Sequence, residues 1–210
     1  MKKFFIFGIF AICASTFIAC SSCKNEKKNV NNDTIQTTMV VENIISTDRE
    51  DMFSNVSKDY RWFETCIHLN NYLDEENDGS IDEIVNTFQV VIDYGKSADV
   101  KVYRYKHLYN GEVVTDSISD FVLGDEPLEK QKITVTFKRA FDNLMATNLP
   151  KPHSRYCVLR KEAGWLECNP QYIFGNTQAQ VYVDAVTGEV RDYNPAFPKD
   201  KQLNYAFSWY

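Results

Sequence analysis

Six cysteines and three histidines are the residues of this 210-residue chain best suited to covalent, redox or metal chemistry. Cys13, Cys20 and Cys23 lie at the amino end, and Cys66, Cys157 and Cys168 lie in the remainder. Cys157 and Cys168 bracket Cys-Val-Leu-Arg-Lys-Glu-Ala-Gly-Trp-Leu-Glu-Cys, which reads as a β-hairpin. A turn centred on Glu162-Ala163 would set them directly across from each other, where a disulfide can form in the right register. Cys66 is then a buried free thiol or the partner of Cys23. His68, His107 and His153 stand in no metal-ligand motif, and His68 with Cys66 on one strand face makes only a weak pair of ligands. His153 precedes Cys157 by the spacing that aligns a base with a thiol on a helix. Pro152 and the β-favouring run that follows argue against a helix there. Asp74 to Ile81 imitates the first eight positions of a calcium-binding loop, but Val85 stands where a bidentate Glu is needed. There is no nucleophile elbow, phosphate loop or dinucleotide fingerprint. The expectation is a protein with no catalytic residues, no cofactor and no metal.

Cysteine chemistry of another kind is suggested at the amino terminus. Lys2 and Lys3 precede an apolar run from Phe4 to Phe17, and Phe17-Ile18-Ala19-Cys20 closes it. A basic start, a short apolar stretch and a small residue before the cut are the layout of a secretory signal peptide rather than a spanning helix. The segment resembles the bacterial lipoprotein signal, which implies lipid on Cys20 as the first mature residue. Phe17 departs from the Leu usual at that position. The competing reading is an ordinary signal peptide cut near Ala19, and Cys13 and Cys23 fit the cut less well. Ser21 is not the Asp of inner-membrane retention, and no acidic cluster follows. The expected location is therefore the outer membrane, with the folded part facing the periplasm and exposure at the cell surface as the alternative.

These residues need a scaffold. Removal of residues 1–19 leaves about 190 residues, enough for one ordinary domain or two small ones sharing a core. A net charge of −6 with no basic run longer than two residues in the folded part argues against a nucleic-acid partner. Fourteen Phe and twelve Tyr favour a sheet-rich fold. Residues 20–47, rich in Asn, Lys, Ser and Thr, read as lipid anchor and flexible stalk.

Two units of like design follow, at 48–124 and 125–194, each a helix packed on an antiparallel β-meander, and an aromatic extension closes the chain at 195–210. In the first, Met52, Phe53, Val56 and Tyr60 predict a helix over 48–59, with Thr47 or Asp48 as its cap. Strands are expected at 61–73, 81–92, 100–109 and 113–121, with hairpin signals at Asp78-Gly79 and Asn110-Gly111. In the second, Phe137, Ala140, Phe141, Leu144 and Met145 form a helical stripe ended by Pro150 and Pro152. Strands are then expected at 156–161, 165–174, 178–184 and 190–193. Gly79, Gly95 and Gly111 match Gly164, Gly175 and Gly188 in rank. The fold class is α+β. Tyr205, Phe207 and Trp209 alternate, so an extended tail would carry one aromatic face, packed on the sheet or available to a peptide or sugar.

The stretch Ile133-Thr134-Val135-Thr136-Phe137 opening a helix, with Tyr182-Val183-Asp184-Ala185-Val186-Thr187-Gly188-Glu189-Val190 at its end, resembles the PepSY and PepSY-like domains of exported bacterial proteins. The motif residues are Asp184, Thr187, Gly188 and Glu189. Locally, Asp184 can accept backbone amides ahead of it and Gly188 supplies a positive-φ corner. The second unit departs from the family by inserting Lys151 to Tyr156 and the cysteine-bearing hairpin. The two-unit build is similar to β-lactamase inhibitor proteins, and the chain resembles a Bacteroides-type lipoprotein family. The resemblance implies a non-catalytic module that binds an envelope protein, including the restraint of a peptidase or other enzyme. A carbohydrate- or nutrient-binding accessory is the alternative, with a cryptic hydrolase behind it. The sequence does not specify the oligomeric state.

Overall fold

In the computed structural model, residues 39–91, 100–119, 126–128 and 131–202 are described. They belong to one unit, Ile35–Tyr210, and the other unit, Met1–Thr34, lies outside the described residues with Cys20 and its proposed lipid. The alternating tail at 203–210 lies outside them as well. Helix α1 (Val41–Asp51) runs into a π-helical turn at Met52–Val56. Four strands follow: β1 (Arg61–Leu69), β2 (Ile81–Val91), β3 (Val100–Leu108) and β4 (Val113–Ser119). After α2 (Phe137–Met145) come β5 (Tyr156–Arg160), β6 (Gln171–Gly175), β7 (Gln180–Asp184) and β8 (Val190–Arg191). All eight strands form one antiparallel sheet in the order β4-β3-β2-β1-β5-β6-β7-β8. The fold is α+β, as expected.

The central joint is β1 with β5, where Glu64 to His68 oppose Arg160 to Tyr156. Alternation along β1 places Thr65, Ile67 and Leu69 on the helix side and Glu64, Cys66 and His68 on the other. Both helices cover the same face. Val41, Ile45 and Met52 of the first helical segment share a core with Phe137, Ala140, Phe141 and Leu144 of α2. Ile67, Ile84, Phe88, Leu159, Tyr172, Phe174 and Val183 supply the sheet side of that core. Thr136 caps α2 by accepting from the Arg139 amide at 3.3 Å. Glu42 of α1 also accepts from the Phe137 amide at 2.6 Å, so a carboxyl from one helix satisfies the open amino end of the other.

The first helix departs from its sequence expectation. It begins at Val41 rather than at 48, within the segment read from sequence as stalk. Phe53 and Val56 are exposed, and the buried face is Val41, Ile45, Asp48 and Met52. Asp48 is no cap: it sits mid-helix at 2% exposure. Its Oδ2 accepts from Asn86 Nδ2 at 2.6 Å, and His107 Nε2 lies 2.9 Å from both of its oxygens. Asn86 Oδ1 in turn accepts from the Thr65 hydroxyl at 2.5 Å, and Thr65 accepts from Trp62 Nε1 at 3.2 Å. One turn on, Asp51 accepts from the Tyr105 hydroxyl at 2.6 Å. A polar residue at a buried helical position hides the true period, because only its cross-sheet partners make burial tolerable.

The expected Cys157–Cys168 bridge is also corrected. Residues 165–170 are not strand, and Cys157 faces Phe174 across β5–β6, while Arg160 faces Gln171. That far end lies three strand positions, about 10 Å, along from Cys157, and Cys168 precedes it in the chain. Cys66, Cys157 and Cys168 are all free thiols. The turn is not centred on Glu162-Ala163, because Arg160, Lys161 and Glu162 are buried and Glu162 bonds Asn194.

Asp48→Ala is expected to destabilise the protein by about 3 kcal/mol in urea unfolding, since it strands Asn86 and His107. Phe53→Ala, one turn further on but exposed, is expected to cost less than about 1 kcal/mol.

Candidate functional site

The recess with the most chemistry lies at the β7–β8 end of the sheet, a cleft of about 640 Å³. Its walls include Lys161, Cys168, Asn169, Asp184, Glu189, Arg191, Tyr193 and Lys199. Three groups predicted from sequence, Cys168, Asp184 and Glu189, are thus brought together; Cys157 is elsewhere, buried beneath the helices.

The floor is built by the turn between β7 and β8. Asp184, 3% exposed, accepts from the amides of Val186 at 2.8 Å and Thr187 at 2.9 Å. Asn169 Nδ2 donates to both of its oxygens, and Arg191 Nη1 lies 3.8 Å from Oδ2. Gly188 has φ 78°, and its amide donates to the Asp184 carbonyl at 2.8 Å. A Cβ on Gly188 would come within 2.6 Å of Asn143 Nδ2, which donates to the Gly188 carbonyl. Thr134 completes the clamp: its hydroxyl donates to the Val186 carbonyl at 2.6 Å. The last hairpin is therefore fastened to α2 through Asn143 and to the segment before it through Thr134. Thr187 accepts from the Glu189 amide at 3.3 Å.

Burial pushes the Asp184 carboxyl upward, but donors from Thr187, Asn169, Val186 and Gln171 outweigh it and hold the group below the usual carboxylate range. The cations around it are committed. Arg191 grips Glu189 with Nε at 3.1 Å and Nη2 at 2.5 Å. Lys161 Nζ lies 2.5 Å from Glu126, and that bond raises its pKa. Lys199 Nζ sits 4.3 Å from the centre of the Tyr193 ring. The outer wall, residues 193–199, is tied down by Gln202, whose side chain bonds Asn194, Phe197 and Pro198.

The thiols are poorly suited to attack. Burial, aided by Glu162, pushes Cys168 up to about 11, so it is a protonated thiol at neutral pH. Burial drives Cys157 and Cys66 well above the ordinary thiol value. His153 is not a partner for Cys157: its side chain is 66% exposed, bonds Asp74 through Nδ1 at 3.0 Å and stacks on Tyr72. His68 stacks on Tyr156 and His107 is held by Asp48, so the three imidazoles occupy three separate environments. The side chains of the calcium-like loop bond its own amides and His153. Asp74 meets His153, Asn77 accepts from the Gly79 amide, and Asp78 accepts from the Ser80 amide. Among the described residues no group of three His, Cys, Asp or Glu side chains could hold a metal ion, and no helix is long and apolar enough to cross a membrane.

Sequence reasoning missed Lys161 and Arg191 as cleft residues and the whole Asp48–Asn86–His107 constellation. Arg160-Lys161-Glu162 was the available signal, three charged residues that a hairpin tip would expose. Comparison with protein families, curated proteins and solved structures finds no match to the chain.

The depressed Asp184 pKa fixes the sign of a pH effect. An acid whose folded pKa lies below its unfolded value of 3.8 contributes stability above that value, and the contribution is lost as pH falls through the folded pKa. Asp184→Asn is expected to cost about 1–2 kcal/mol at pH 7. Urea titrations from pH 7 to pH 2 should show the gap to wild type closing below the unfolded value; a gap independent of pH would contradict the assignment.

Proposed function

We propose that this chain is an exported protein, anchored through lipid on Cys20 to the outer membrane and facing the periplasm, that binds an envelope protein without catalysing a reaction. Restraint of a peptidase or other enzyme is the form that the PepSY-like resemblance favours. The observation that carries the reading is the clustering of exposed apolar side chains at one sheet edge. Tyr109, Val113, Val114 and Ile118 are 61%, 53%, 43% and 44% exposed on the β3–β4 hairpin. Apolar surface concentrated in one place marks a contact surface better than scattered exposed residues do. The protonated thiols and internally paired charges of the cleft support a binding role over turnover.

We also infer that the sheet consists of two copies of one helix-plus-meander unit, meeting at β1 and β5. The order α1, β1–β4, α2, β5–β8 supports this, as do Gly111 and Gly188, which take positive φ in the last hairpin of each half. A second reading, a carbohydrate-binding accessory, draws on Trp165, 67% exposed beside the cleft residue Leu166.

Chemical crosslinking in intact cells, followed by mass spectrometry, tests the first reading. A dominant envelope protein captured by wild type, and reduced at least fivefold with Ile118→Lys, is the expected result. Recovery of only the proteins that an unrelated lipoprotein captures would sink it. A glycan-dependent shift of Trp165 fluorescence would then favour the second.

A further inference from the structure

The edge of the sheet at β4 carries an inference about how a partner is held, and it rests on the protein-binding reading above. Among the described residues β4 has a neighbour on one side alone, β3, and residues 113–118 are all exposed. The other edge is short, since β8 has only two residues. Open edges usually carry a proline, a bulge, a lysine or little length, because a bare one pairs with any strand it meets. β4 has seven residues, no proline, no lysine and an unbroken register with β3 from Val113 to Ser119. Its one charged side chain is Asp116.

The ladder fixes which backbone groups are free. The Leu108 amide donates to the Glu112 carbonyl, and Leu108 and Glu112 lie in the same register as Lys106–Val114 and Arg104–Asp116. Hydrogen-bonded pairs alternate along an antiparallel ladder, so Val114, Asp116 and Ile118 turn their backbone groups toward β3. The outward amides and carbonyls belong to Val113, Thr115 and Ser117. A strand added there bonds to those three. It faces Val114, Asp116 and Ile118 at the positions where opposed side chains approach most closely.

Asp116 decides the occupant. Arg104 Nε and Nη2 hold it at 2.9 and 2.6 Å, yet its side chain remains 51% exposed. A second copy would pair about a two-fold axis perpendicular to the sheet, which keeps side chains of one face together. In the registers centred on Asp116, Thr115 or Ser117, Asp116 then meets Asp116 of the copy, Val114 or Ile118. The first sets like charges opposite, and the others press a carboxylate on an aliphatic side chain. A foreign strand with a cation at that position and β-branched or aliphatic residues two places to either side has neither fault.

We propose that β4 binds an extended segment of a protein partner by antiparallel strand addition, reading the pattern apolar–x–Arg/Lys–x–apolar through Val114, Asp116 and Ile118. The backbone supplies most of the affinity and the side chains supply register and choice.

Fluorescein-labelled Thr-Val-Thr-Arg-Thr-Ile-Thr and its Glu-centred counterpart, titrated with the full chain and read by anisotropy, test this. The Arg peptide is expected to bind about tenfold more tightly, the sum of one gained and one avoided charge contact. Thr115→Pro removes an outward amide without touching a β3–β4 bond, and should abolish binding of both. Asp116→Asn keeps the shape and should leave binding while erasing the preference. Equal affinity of the two peptides for wild type, binding retained by Thr115→Pro, or no anisotropy change for either peptide would overturn the proposal. So would a dimer in sedimentation that Thr115→Pro dissociates, since the edge would then be taken by a second copy. Crosslinked capture that persists while both peptides fail rejects strand addition alone; peptide binding without capture rejects the envelope partner alone.

Discussion

Antiparallel pairing of β1 with β5 is the constraint on which the rest of the molecule depends. Without it the chain would be two short meanders, each with a helix and too little core to stand on its own. With it, eight strands share one face, and both helices lie on that face. Ile67 and Leu159, one from each side of the joint, lie in the core that Phe88 and Phe174 continue outward. The contact between Glu42 and the amino end of α2 follows from the same arrangement, because two helices on one face can exchange a cap.

Polar groups inside this structure fix its geometry. Asp48 has its burial compensated through Asn86 and His107, which come from β2 and β3. That fixes the rotation of α1, since turning the helix by one residue would leave a buried acid without partners. Arg160, Glu162 and Asn194 do the same on the opposite face, joining the β5 exit to the segment that walls the cleft. Gly164 belongs to this region for a reason other than turning. A side chain there would collide with Ala196, so the close approach of two loops requires it.

The same economy accounts for where the surface is left active. Among the described residues the thiols are buried or half-buried, the imidazoles are paired or stacked, and the cleft beside Asp184 balances its own charges. Among the described residues β4 leaves backbone uncommitted: the outward amides and carbonyls of an edge strand that carries Val114 and Ile118. On the strand-addition proposal, recognition would rest on register, with Asp116 as the reference point.

Much of this was legible in local sequence. The α2 stripe from Phe137 to Leu144, the Asp184–Gly188 turn and the α+β class depend on contacts within a few residues, so spacing and side-chain chemistry determined them. The strand positions of β2, β3 and β4 were legible for the same reason. What only the tertiary structure decided are the features whose partners are far apart in the chain. Asp48 looked like a cap because its partners lie in strands about 40 and 60 residues away, and a buried acid breaks the apolar period that marks a helix. Cys157 and Cys168 looked opposed because the hairpin centre was placed by sequence. The burial of Arg160, Lys161 and Glu162, driven by Asn194 and Glu126, moved it. Local spacing sets which way a side chain points along its own element; which element it then meets is a property of the assembled sheet.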